Sequence, residues 1–121
     1  MILRMIINLK TNIDYTYIME CITEDNVSDI INQDEYLLFY FTAKWCGPCQ
    51  KIKPMVMKLK EGLTTNNIKF YMIDIDENDE LCEKCQVTSV PTFILFKNKK
   101  EVGQCKGANI VSVANLLKPH C

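Results

Sequence analysis

Apolar positions along the chain fall into two rhythms that alternate from end to end. Residues 36–42, Tyr-Leu-Leu-Phe-Tyr-Phe-Thr, are aromatic and apolar without alternation, the pattern of a strand buried on both faces of a parallel or mixed sheet. Residues 50–61 then carry Ile52, Met55, Val56 and Leu59 at i, i+3, i+4 and i+7, with Gly62 placed to stop them. That spacing predicts an amphipathic helix with those four residues inward. Residues 68–75 repeat the buried-strand pattern after a polar loop at 64–67, and residues 79–85 predict a short helix. Residues 92–96 and 102–106 alternate well enough for an antiparallel hairpin across a lysine-rich, solvated turn at 97–101. A last helix over 109–117 turns Ile110, Val113, Ala114 and Leu117 inward and is closed by Pro119.

Upstream, residues 17–21 read as a first strand, and Thr23 as the N-cap of a helix through Ile31 with Val27, Ile30 and Ile31 inward. Strands alternating with helices, then a hairpin and a helix, make an α/β chain with a central mixed sheet flanked by helices on both faces. Residues 17–121 form that domain. Residues 1–16 are an N-terminal extension, either an added edge strand with weak β character at 5–9 or a loose tail.

Composition narrows the class. The chain has 121 residues, 48% of them hydrophobic, which suits one folded domain and excludes a disordered one. A net charge of −1 and a pI near 5.8 give no general electrostatic reason to bind nucleic acid or an acidic membrane. Arg4 is the one arginine, which disfavours bidentate phosphate recognition. No stretch approaches the roughly 20 apolar residues of a membrane span. Arg4 and Asn8 interrupt the apolar start and no small-residue cleavage site follows, so a secretory signal is not expected. The seven cysteines cannot all pair within one chain, which speaks against a secreted disulfide scaffold and for a reducing, cytoplasmic setting.

Two of those cysteines, Cys46 and Cys49, sit one helical turn apart directly after the central strand, in Trp45-Cys46-Gly47-Pro48-Cys49. With this many cysteines the spacing alone arises readily by chance, so its context decides. Cys46 falls at a helix N-terminus, where unpaired N–H groups and the helix dipole favour a thiolate. It is expected to be exposed and acidic, the nucleophile that attacks a substrate disulfide. Cys49, a turn deeper, would then attack the Cys46 sulfur and release the reduced substrate. Pro48 keeps the turn between them short.

The second Cys-x-x-Cys, Cys82-Glu83-Lys84-Cys85, could be an auxiliary redox pair or half a zinc site. Zinc wants four ligands and the sole histidine, His120, is in the C-terminal tail. Incidental thiols are therefore preferred, ahead of a regulatory disulfide and then metal. Asp74 and Asp76 read as solvated loop charges rather than metal ligands, Cys105 as packing, and Cys121 as a terminal thiol able to link two chains under oxidation.

The motif at 45–49 resembles the active site of the thioredoxin family, and other landmarks match it across residues 17–118. Pro54 lies where thioredoxins kink the following helix, Ser89-Val90-Pro91-Thr92 is similar to their cis-proline loop, and Gly107 matches a glycine lining the substrate groove. Two positions depart from that pattern. Six residues ahead of Cys46 the family usually has a buried aspartate that helps move the proton of the second cysteine, and here stands Tyr40. Its partner lysine on the next strand is replaced by Met72. Phe39-Tyr40-Phe41 is more similar to the tryparedoxin and nucleoredoxin branches.

The resemblance implies a thioredoxin fold and a monomeric protein-disulfide reductase with Cys46 and Cys49 catalytic. Trp45, Gly47, Pro48, Val90, Pro91 and Gly107, with Ala108, would form the substrate-binding rim, and an extended peptide could pair with the Val90 main chain. No cofactor is expected to be bound, because no Gly-rich dinucleotide fingerprint is present. Electrons would come from a thioredoxin-reductase-like partner or a small thiol and go to disulfide-containing proteins. A thiol oxidase or isomerase of the same fold, a non-catalytic binding module, and metal binding by the dithiol are the competing readings.

Overall fold

The computed structural model describes residues 19–24, 26–32, 34–63 and 68–121. The expected extension at 1–16, the start of the first strand at 17–18 and the loop at 64–67 lie outside the described residues. Five strands form one mixed sheet: β1 (Glu20–Cys21), β2 (Tyr36–Thr42), β3 (Ile68–Asp74), β4 (Thr92–Lys97) and β5 (Lys100–Lys106), in the order β1-β3-β2-β4-β5. The first three run parallel, and the β4–β5 hairpin adds antiparallel to β2. Among the described residues four α-helices accompany them: α1 (Val27–Ile31), α2 (Gly47–Gly62), α3 (Asp79–Lys84) and α4 (Ile110–Leu117).

The unbroken apolar run of β2 is explained by its place at the centre of the sheet, paired on both edges and covered on both faces. Side chains alternate across a strand, so Leu38 and Tyr40 enter a core with Ile52, Val56, Phe93, Leu95, Val113 and Leu117. On the opposite face Leu37, Phe39 and Phe41 enter a core with Ile22, Ile30, Tyr71, Ile73 and Ile94. Helices α2 and α4 therefore cover one face and α1 the other, with Leu81 of α3 also packed there. The Leu116 side chain of α4 reaches over Gly103 of the edge strand, where a Cβ would stand 2.7 Å from its terminal methyl.

Three local expectations are corrected. Helix α1 starts at Val27, not after Thr23. The Asn26 side chain accepts from the Thr23 N–H at 2.8 Å and donates to the Cys21 carbonyl, which makes residues 23–26 a turn leading into the helix. Helix α2 begins at Gly47, three residues ahead of the predicted start, because Cys46 itself caps it and Pro48 fits the first turn. Met55 is 51% exposed and not inward. The buried face of α2 is Cys49, Ile52 and Val56, a stripe that passes Met55 by.

Candidate active site

Strand β2 ends at Thr42, and the chain runs through Ala43, Lys44 and Trp45 to Cys46, whose extended backbone (φ −89°, ψ 107°) makes it the N-cap of α2. The Cys46 sulfur accepts the N–H of Cys49 at 3.2 Å, the usual task of a capping side chain. Cys46 and Cys49 are joined as a disulfide with their Cα atoms 5.3 Å apart. A second tie secures this first turn: Gln50 Nε2 donates to the Ala43 carbonyl at 2.8 Å.

Cys46 is more enclosed than its sequence position suggests. It is 6% exposed against 0% for Cys49, since Ala43 and the half-buried Ile75 and Val90 pack around the pair. The order of access is nonetheless the expected one, because the exposed edge of Cys46 opens into a groove of about 670 Å³. Trp45, Gly47, Pro48 and Val90 line this groove with Cys46, and the Cys46 sulfur lies 3.9 Å from the Val90 carbonyl oxygen. The Val90–Pro91 peptide is cis, as the resemblance implies.

Pro91 and Gly107 are not among the residues that line the groove. Pro91 is buried, and its carbonyl accepts the Gly107 N–H at 2.9 Å; Gly107 adopts φ +95°, a conformation open to glycine. Ala108 belongs to a smaller depression beyond Pro48, shared with Lys51 and Met55.

The sequence reading did not place Asp76, Asp79 and Cys82 in the groove, yet all three line it, and Asp76 accepts a hydrogen bond from the Trp45 indole. Nothing local marks them, since the sheet order alone brings the end of β3 and the start of α3 beside residue 45. Burial first, then Asp79, Asp74 and Asp76, push the Cys82 thiol above its ordinary range. Burial, Cys82 and Glu101 push Cys85 up to about 11. Both therefore stay protonated at neutral pH, the form that neither attacks disulfides nor ligates metal. They are free thiols, not bonded to each other. Among the described residues no group of three or more His, Cys, Asp and Glu side chains is placed to hold a metal ion.

Directly beneath the dithiol lies Tyr40, fully buried. Its neighbours across β2 are Met72 and Phe93, and burial raises its phenol, opposed by the Thr42 hydroxyl. No carboxylate therefore stands at this position, and the phenol stays neutral.

Residues 18–118 match the family model for thioredoxin. The chain is 38% identical to thioredoxin-1 of Saccharomyces cerevisiae over 91 residues, covering 75% of this chain and 86% of the relative. It is 30% identical to the mitochondrial thioredoxin-3 of that yeast over 118 residues, 98% and 91% of the two chains. The solved structure of Fasciola hepatica thioredoxin superposes with a TM-score of 0.78 at 32% identity, covering 85% of this chain and 100% of that one.

Proposed function

This chain belongs to the thioredoxin family and is a thiol-disulfide oxidoreductase, and from that premise we propose that it works as a reductase of disulfides in other proteins. The observation behind the exchange chemistry is the capping contact at α2, and the free thiols named below support its running in the reducing direction. The amide that the Cys46 sulfur accepts in the disulfide is the donor that stabilises a thiolate there after reduction. In the reduced protein the Cys46 thiolate attacks one sulfur of a substrate disulfide, and the other substrate sulfur leaves as a thiolate that takes up a proton. Cys49 then gives up its proton and attacks the Cys46 sulfur. The Cys46–substrate bond breaks, and the second substrate sulfur leaves with the electron pair and a proton. Two electrons have passed to the substrate and the Cys46–Cys49 disulfide has closed.

Trp45, Gly47, Pro48 and Val90 surround the attacking sulfur, so they are the residues that meet the substrate chain. Pro91 follows Val90 through a cis peptide and accepts the Gly107 N–H, so this pair fixes the chain that carries Val90. Electrons reach the oxidised protein from a thioredoxin-reductase-like donor or a small thiol. The protein is read as a cytoplasmic monomer; support comes from the free thiols Cys21, Cys82, Cys85, Cys105 and Cys121, which suit a reducing compartment. Among the described residues no helix is long and apolar enough to cross a membrane.

Replacing the resolving thiol tests the reading. Cys49→Ser should accumulate mixed disulfides between Cys46 and cellular proteins, and the unmodified protein should speed insulin reduction by dithiothreitol. A Cys49→Ser protein that traps nothing would exclude protein disulfides as its substrates.

A further inference from the structure

The exchange described above uses the two sulfurs and the groove, yet one buried polar group under the site has no part in it. Tyr40 donates its hydroxyl hydrogen to the backbone carbonyl of Cys49 at 2.6 Å. Its ring is held by a parallel stack on Phe93, centroids 4.9 Å apart and planes 7° from coplanar, so the hydroxyl is aimed by a rigid side chain on the central strand.

Helix α2 needs such a brace at this point. Pro54 lies inside the helix; it has no N–H to give the Gln50 carbonyl four residues back, and its ring crowds that carbonyl. The ladder is therefore weakened at the residue after Cys49, within the turn that carries the second sulfur. Two side-chain bonds pin this turn to the sheet: Gln50 holds the end of β2 through the Ala43 carbonyl, and Tyr40 holds residue 49 itself.

We propose that Tyr40 is a positioning residue for the second step of the exchange, its hydroxyl fixing the Cys49 carbonyl and so keeping the resolving sulfur aimed at Cys46. This deepens the proposed function and rests on it. The phenol does not take the Cys49 proton: its own hydrogen is engaged by the carbonyl, and burial disfavours its charged form.

Single-turnover reaction of the reduced protein with one equivalent of dithionitrobenzoate separates the two steps. Cys46 attack releases a first coloured thiolate, and closure by Cys49 releases a second. Cys21→Ser and Cys121→Ser in both proteins silence the exposed thiols. In Tyr40→Phe, which keeps the ring and its stack, the second phase should slow about fivefold, the scale of one neutral hydrogen bond. The first phase and the shape of the second phase's pH profile should stay as they are. A second phase of unchanged rate, both phases slowed alike, or a displaced pH midpoint would each overturn the proposal. An unsubstituted protein with no first phase at all fails at Cys46 and overturns the reading beneath it instead.

Discussion

The indole Nε1 of Trp45 donates a 2.9 Å hydrogen bond to the carboxylate of Asp76, joining residues 31 positions apart across the mouth of the groove. Trp45 is 68% exposed, so packing does not hold its ring beside the Cys46 sulfur and this bond orients it. Asp76→Ala should lower kcat/KM for insulin reduction about threefold, a hydrogen bond to a charge discounted for its exposure. Global stability should change by no more than about 0.5 kcal/mol. Steady-state kinetics beside a urea titration separates the two, and an unaltered kcat/KM would mean that the ring's orientation does not matter.

The thiols should alkylate in a set order. In the reduced protein near neutral pH, iodoacetamide should label Cys46 well before Cys82, Cys85 and Cys105. Amides favour the Cys46 thiolate, whereas burial holds the other three protonated. Mass spectrometry after timed quenching reads the order directly. Labelling of Cys82 at the rate of Cys46 would contradict the electrostatic assignment.

Cys85 gives stability a dependence on alkaline pH. Its thiol is raised from 9.0 to about 11 in the folded chain, so the folded state keeps the proton longer than the unfolded state does. The contribution is fully present below the unfolded value and disappears as pH rises through the folded one. Urea midpoints of the unsubstituted protein should fall between pH 9 and 11, and Cys85→Ala should flatten that part of the decline. Equal slopes in the two proteins would show that the thiol is not the group responsible.

Phe39 stands at the centre of the sheet with no exposed surface, edge-on to Phe41 and Tyr71 and tilted against Phe96. Phe39→Ala should cost about 3–5 kcal/mol in equilibrium unfolding, because the ring's burial is lost and its cavity cannot close against a paired strand. A loss below about 1 kcal/mol would mean that the face relaxes around the gap.

The order of elements was legible along the chain wherever a local rule had no competitor. The apolar run of β2 could satisfy its pattern only between two covered faces. The Cys-x-x-Cys turn after β2 announced a helix beginning close to Cys46 and the chemistry carried there, though not the capping by Cys46. Misreadings came where side chains chose among local partners: Asn26 folded back on Thr23 and delayed α1, and Cys46 took the capping position and drew the start of α2 forward. Met55 has the spacing of an inward residue, yet the stripe set by Cys49, Ile52 and Val56 leaves it facing out.

Adjacency in the chain determined the dithiol, its place at a helix start and the unequal roles of its sulfurs, because capping and the helix dipole act within one turn. Folding of the sheet decided the rest. It set β3 beside β2 and so brought Asp76 to Trp45, folded Val90 over the Cys46 sulfur, and put a phenol under Cys49. The first two contacts join residues far apart in sequence and the third joins a strand to the helix after it, so their meeting depends on strand order and on which face each side chain takes, and neither quantity is written in any local pattern.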